Sequence, residues 1–287
     1  MSASKVASSL AARLARRPWR GGWPALMYHA VEVADGLPES EDYTVSASLF
    51  ARHLLALERA GVASVPLLRL MHGDLALSPG EAPLALITFD DGFESVLTRA
   101  SEPLAESGLA ALAFITVDRI GEPAYLDADQ VRVLLGMGLA VGSHGLTHRY
   151  LTDLPLGELR RELAESRDRL SALVGYPVRT LSAPGGRVDD RVMAEARRAG
   201  YRAVMGSEPG LVPYGDPPPG PSPRLAITER TTPAHIERLA VGDPAAILQE
   251  LARYKALQVP KRLLGNAGYD AVRGALLGQW RRRRGPA

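Results

Sequence analysis

The sequence predicts an α/β fold of the barrel type, a single domain in which parallel strands alternate with helices. Three observations carry this. A chain of 287 residues can bury a large core and suits one barrel-sized domain better than two. Short apolar runs alternate with amphipathic stretches, as βα units require. Residues 84–89 form one run that is apolar but for Thr88, the mark of a strand covered on both faces and therefore of a parallel sheet.

Taken in order, strands are expected at 25–30, 84–89, 110–117, 139–143, 178–182 and 201–206, with helices at 48–60, 95–107, 128–136, 155–174 and 188–199. In the first helix Ser46 or Ser48 can cap the start, Leu49, His53, Leu54 and Leu57 recur at helical spacing, and Gly61 can end it. His53 thus joins a core-facing stripe, and His72, in a Gly-Asp loop, has no partner motif. Along 155–174, Glu158, Arg161, Glu162, Glu165 and Arg169 are spaced as a solvated face with i,i+4 pairs. Residues 208–223, with seven prolines from Pro209 to Pro223, form an irregular loop, either a connector or a cover over the site. Helices at about 243–257 and 261–279 follow. The chain divides into a basic N-terminal extension 1–22, a barrel domain 23–241 and a C-terminal helical extension 242–287 with a basic tail.

Chemistry concentrates in four stretches: 27–31 (MYHAV), 88–92 (TFDDG), 143–148 (SHGLTH) and 182–186 (SAPGG). His144 and His148 stand one turn apart after a short buried strand, so a turn-like backbone points both rings the same way. Imidazole suits zinc, cobalt, nickel or iron, whereas magnesium and calcium prefer oxygen. A third, anionic ligand would complete a site with open positions. Asp90 and Asp91 offer it at the C-terminal end of the 84–89 strand, where α/β barrels place their chemistry. Neighbouring side chains project differently, so one carboxylate can ligate a metal while the other takes a proton from water acidified by the cation.

These motifs together, over about residues 24–240, resemble the polysaccharide deacetylase family, the NodB-type metal-dependent hydrolases that remove N-acetyl groups from amino sugars. The resemblance implies a distorted (β/α) barrel, Asp90 as general base, and Asp91, His144 and His148 as ligands of a divalent metal, zinc foremost. It also implies a carbohydrate substrate. Two departures from the family pattern stand out. The third motif usually carries an arginine ahead of its Pro-x-x-Gly, and residues 181–187 (LSAPGGR) have none there; Arg187 and Arg224 are the candidate substitutes. The Pro184-Gly185-Gly186 loop can still offer a backbone N–H to an oxyanion. No Leu-x-His follows residue 200 to serve as general acid, and His235 reads as a surface helix start. Residues 26–29 (LMYH) instead resemble the poly-β-1,6-N-acetylglucosamine deacetylase branch, in which the barrel is permuted and an N-terminal histidine is the acid. His29 takes that role, with a buried structural histidine as the alternative. Two other readings stay open: a deformylase or imide hydrolase of the same fold, and a catalytically silent carbohydrate-binding barrel.

The chain has no cysteine and no Gly-x-Ser-x-Gly elbow, which agrees with a route lacking an acyl-enzyme. Net charge is +2, unevenly spread: residues 1–20 carry five basic and no acidic side chains, and 253–287 carry nine basic and one acidic, leaving −11 on the body. The tail with Trp280 and four consecutive arginines is either a solvated end or a contact for an anionic membrane. Nucleic acid is excluded as a partner by the acidic body and the lack of an aromatic-basic platform. No run approaches the roughly 20 apolar residues of a membrane span, and Arg13, Arg16 and Arg17 interrupt any signal-like segment. A cytoplasmic enzyme, with peripheral contact at the inner membrane face, is the expectation.

Overall fold

In the computed structural model of the protein, the structure describes residues 21–32, 43–80, 82–216 and 219–256. Seven strands make the frame: β1 (Ala25–Tyr28), β2 (Leu84–Phe89), β3 (Ala111–Ile115), β4 (Leu139–Ser143), β5 (Thr180–Ser182), β6 (Ala203–Met205) and β7 (Leu225–Ala226). They lie in the order β6-β5-β4-β3-β2-β1-β7, every adjacent pair parallel. A parallel bridge from Met205 to Ser222, just ahead of β7, joins the two edges of the sheet. The sheet therefore curls into the distorted barrel that the sequence predicts.

The strand sequences explain the curl. Alternate residues fall into two buried sets. Ala25, Leu86, Leu112, Phe114, Ala140, Ala203 and Met205 fill the interior. Leu26, Tyr28, Ile87, Phe89, Ala113, Ile115, Val141, Leu181 and Val204 pack outward against the helices. Both faces are dry, which is why 84–89 reads as a continuous run rather than an alternation. Trp23, Val65, Leu70, Leu75, Leu77 and Val212 join the interior set. Since Trp23 immediately precedes β1, this group plugs the N-terminal end.

Seven helices belong to this frame: α1 (Ala47–Arg59), α2 (Leu67–His72), α3 (Ser101–Ser107), α4 (Ala128–Val133), α5 (Leu156–Val174), α6 (Asp190–Ala199) and α7 (Pro233–Ala240). α1 buries Leu49, Phe50, His53, Leu54, Ala56 and Leu57, and Phe50 meets Tyr28 edge-on at 5.3 Å. Burying such a ring stabilises the fold by about 2–3 kcal/mol. His53 is core, as its stripe predicts: its Nε2 donates to the Thr231 carbonyl at 2.8 Å and its Nδ1 lies 3.2 Å from the Tyr28 hydroxyl. Ser46 is the N-cap, but its side chain does not close the helix. Glu229 accepts instead from the Ser46 N–H and hydroxyl, at 2.7 and 3.1 Å.

Several boundaries differ from the sequence reading. Residues 95–107 divide into a π turn at Val96–Ala100 followed by α3. α4 gives way to a 3-10 turn at Leu134–Met137. His72 ends the short helix α2 instead of lying in a loop. β7, only two residues long, is too short for its pattern to register. Val212–Pro213 of the proline-rich stretch pairs antiparallel with Gly22–Trp23, and Gly215 donates to the Leu77 carbonyl. This part of the loop thus closes the N-terminal end and does not cover the catalytic rim. The chain forms two compact units, Met1–Ile247 and Leu248–Ala287; of the second, residues 248–256 are described and helical. The expected helix 261–279 and the basic segment 1–20 lie outside the described residues. Among the described residues no helix is long and apolar enough to cross a membrane.

Candidate active site

The site is assembled on the loops that leave β1, β2, β4 and β5 at their C-terminal ends, with one residue reaching up through the barrel. Asp90 continues β2: its N–H donates to the Tyr28 carbonyl at 3.0 Å, so its carboxylate follows the inward parity of Leu86 and Thr88. The next residue breaks that parity. Asp91 has φ +75°, a left-handed conformation that aspartate tolerates better than most L-residues, and its side chain turns away. That single backbone switch separates two adjacent carboxylates into two environments.

Asp91 meets the two histidines. Its Oδ1 lies 3.2 Å from His144 Nε2 and 3.0 Å from His148 Nε2, and one ligand atom from each residue lies within 4.8 Å of the others. The loop is not helical. Gly145 and His148 both have left-handed backbone, φ +83° and +65°, and this irregular turn aims the rings together. His144 Nδ1 donates to the Ser182 carbonyl at 2.9 Å, which fixes the tautomer and turns the Nε2 lone pair toward Asp91. At about 3 Å each ring nitrogen and the Asp91 oxygen repel unless a proton or a metal cation lies between them. Burial alone would lower the His144 imidazole, but Asp90 and Asp91 outweigh it and raise it. Burial would likewise raise Asp91, yet its bonds to His144 and His148 hold it well below the usual carboxylate range. The donor set fits a borderline divalent metal, which would replace those protons.

Asp90 takes a different partner. Arg224, fully buried, donates Nη1 to Asp90 Oδ1 and Nη2 to Oδ2, both at 2.7 Å. The same guanidinium donates to the Ser182 hydroxyl at 2.7 Å, the Gly206 carbonyl at 2.8 Å and Thr88 Oγ1 at 3.2 Å. Ser182 Oγ also donates to Asp90 Oδ2 at 3.0 Å. Burial pushes the Asp90 carboxyl up, but Arg224 and His144 prevail and bring it down to about 2. Asp90 is therefore an ionised carboxylate held by a fork-to-fork arginine pair. Arg187 has a different place: its guanidinium lies over the Tyr150 ring at 3.7 Å, and its Nη1 is buried without a hydrogen bond. Of the two candidate substitutes for the missing arginine, Arg224 is the one that contacts Asp90.

The loop after β5 runs through Ala183 and Pro184, both buried. Gly185 and Gly186 have φ +64° and +67°, and a Cβ on Gly186 would lie 2.0 Å from Ser207 Oγ; only glycine fits. The Gly186 N–H is committed to the Ala183 carbonyl at 2.7 Å, which removes it as an oxyanion donor. His29, just past β1, is half-buried, stacked 4.6 Å from Tyr43, with a buried Nδ1 that makes no hydrogen bond. Burial lowers its imidazole, opposed by the charges of Asp91 and Asp90, so it shares the field of both aspartates.

From the sequence, Thr88 and Ser182 stand within the motif stretches without a role of their own, and Glu162 is missed. Glu162 was expected on a solvated face, yet it is 4% exposed and accepts from the N–H groups of Leu146 and Thr147 at 2.7 and 3.1 Å. The one signal in the sequence was that Glu162 falls between Leu159, Leu163 and Ser166 on the buried side of α5.

A parallel α/β barrel with an ionised aspartate beside an Asp-His-His cluster is the arrangement that the resemblance to the NodB-type deacetylases implies. Residues 78–204 match the family model described as polysaccharide deacetylase. The chain is 27% identical to YxkH of Bacillus subtilis over 192 residues, 65% of each chain. It is also 27% identical to the peptidoglycan-N-acetylglucosamine deacetylase of Bacillus cereus over 130 residues, 45% of this chain and 59% of that one. The chain thus spans less than two thirds of the length of either relative. Among solved structures, the Streptococcus pyogenes deacetylase PplD shares the fold, with a TM-score of 0.66 and 20% identity, over 78% of this chain and 99% of that one.

Proposed function

We propose that the protein hydrolyses the N-acetyl amide of an amino sugar in an N-acetylglucosamine-containing polysaccharide, oligosaccharide or lipid-linked glycan, releasing acetate. One observation carries this reading: Asp90 is held ionised by Arg224 beside an Asp91-His144-His148 cluster built like a metal site. The name of the Bacillus cereus relative supports the substrate class. A divalent cation held by Asp91, His144 and His148, zinc foremost with cobalt, nickel or iron as alternatives, would polarise the acyl carbonyl and acidify water.

The chain's own groups supply the rest. Asp90 accepts the proton of the attacking water as general base, while Arg224 keeps its carboxylate charged and fixed in direction. With Gly186 committed to Ala183, the oxyanion donor in this loop is the Gly185 N–H. His29, protonated, delivers a proton to the departing amine, which is otherwise a poor leaving group. A cytoplasmic location, with the basic ends resting on an anionic membrane face, belongs to the same proposal. Recovery of the native protein from a secreted fraction would remove it.

The test is acetate release from zinc-reconstituted protein on β-1,6- and β-1,4-linked N-acetylglucosamine oligomers. Asp90→Asn should keep its metal and lose turnover by about 10²–10⁴-fold; loss of metal instead would exchange the roles of Asp90 and Asp91. His29→Ala should lose turnover on the amide but spare an activated aryl acetate, whose leaving group needs no proton. No acetate from a protein that binds zinc would favour another acyl group or the silent barrel.

A further inference from the structure

We infer that Glu162, on α5, is a positioning residue that holds the His144–His148 loop in its metal-binding shape and so sets metal affinity. The inference rests on the reading of Asp91, His144 and His148 as ligands. Neither the motif pattern nor the spacing of charges along α5 points to it.

The loop needs an external hold. Between the two histidines it has no regular structure, and Gly145 and His148 both sit in the left-handed region, where a non-glycine residue costs about 1–2 kcal/mol. Its polar groups are pinned from two sides. The carbonyls of Gly145 and Leu146 accept from the N–H groups of Val117 and Asp118, at 3.2 and 2.9 Å. On the other side Glu162 Oε2 accepts from the N–H groups of Leu146 and Thr147, and Oε1 accepts from the Thr147 hydroxyl. One turn further along α5, Ser166 Oγ lies 3.0 Å from Ser143 Oγ, which in turn accepts from the Gly145 N–H at 3.1 Å. Residues 162 and 166 therefore grip the loop at its middle and at its root.

A buried carboxylate costs several kcal/mol unless it is paired or well hydrogen-bonded. No arginine, lysine or histidine among the described residues forms an ion pair with Glu162, and its three hydrogen-bond donors all belong to the ligand loop. Glu158, Arg161 and Arg169, on the same helix, stand in solvent. A carboxylate placed inside with only loop donors for company is explained by what it does to that loop: it fixes the span over which His144 and His148 converge on one oxygen of Asp91.

The experiment is zinc binding by the metal-stripped full chain, in competition with a chromogenic chelator, at a temperature well below unfolding. Glu162→Ala should weaken zinc binding by about 10–100-fold, the usual effect of removing a group that orients metal ligands. Glu162→Gln keeps an acceptor oxygen for both amides and should return affinity close to wild type. Thr147→Val deletes one of the three contacts and should weaken binding by a smaller factor, which covers an unstable Glu162→Ala. Leu163→Ala, a core truncation on the same helix, should lower Tm and leave zinc affinity unchanged. Wild-type affinity in a folded Glu162→Ala, or an equal loss in Leu163→Ala, overturns the inference alone. Absence of zinc binding by the wild type overturns the metal-site reading, and this inference with it.

Discussion

Asp90 and Arg224 set the electrostatics of the site, and their pairing has a pH signature. The Asp90 carboxyl, held near 2, lies below the roughly 3.9 of an unfolded chain. The folded state therefore binds fewer protons than the unfolded state between those values. The pair's contribution, on the order of 2–3 kcal/mol, is present above about pH 4 and lost as pH falls toward 2. Arg224→Met leaves a buried carboxylate with no guanidinium, a loss of about 3–5 kcal/mol at neutral pH. In that variant burial is opposed only by the charges of His144 and His29, so the carboxyl rises from its wild-type position and its protonation relieves the folded state as pH falls. Urea unfolding of metal-free protein at pH 7 and pH 4 should give a difference between wild type and Arg224→Met that narrows as pH falls. A difference independent of pH would mean that the guanidinium acts through packing and not through charge.

At the scale of elements, the site is built from two local violations of strand and helix regularity, Asp91 at φ +75° and His148 at φ +65°. Strain of this kind persists where surrounding structure enforces it, and it clusters at functional sites. It can be measured at His148. His148→Ala and His148→Gly lose the same imidazole, but alanine keeps the left-handed penalty that glycine escapes. In metal-free protein the glycine variant should be more stable than the alanine variant by about 1 kcal/mol; equal stability would mean the loop relaxes once the imidazole is gone. This strain also marks where the sequence stops being legible. Residues 84–89, 139–143 and the leucine stripe of α1 declare themselves, because burial on two faces or one forces a pattern. The motif residues Asp90, Asp91, His144 and His148 declare themselves by type and spacing. Glu162 does not, because a buried carboxylate on a charged helix has the same letter and spacing as a solvated one. Arg224 could be named only as one of two candidates, since the register that brings β7 beside β1 is set by two residues, too few to carry a period.

For the molecule as a whole, charge is sorted by position along the chain. The body between residues 21 and 252 carries −11, while residues 1–20 carry +5 and 253–287 carry +8. An acidic body is repelled by an anionic bilayer, whereas a polybasic segment gains about 1 kcal/mol per lysine or arginine held near it. If the proposed deacetylase works at a membrane, contact through the basic ends would hold it there while the acidic body gains nothing from the headgroups. Full-length protein should then co-sediment with phosphatidylserine-containing vesicles at low salt and leave them as the Debye length falls to about 3 Å near 1 M salt. Replacing Arg281, Arg282, Arg283 and Arg284 together by alanine removes four charges from the densest stretch and should weaken vesicle binding steeply, with acetate release from a soluble oligosaccharide unchanged. Equal binding to neutral vesicles, or binding indifferent to salt, would refute an electrostatic contact and leave the basic ends as solubilising segments. Loss of vesicle binding with acetate release intact would separate the two proposed properties, chemistry in the barrel and membrane contact through the ends.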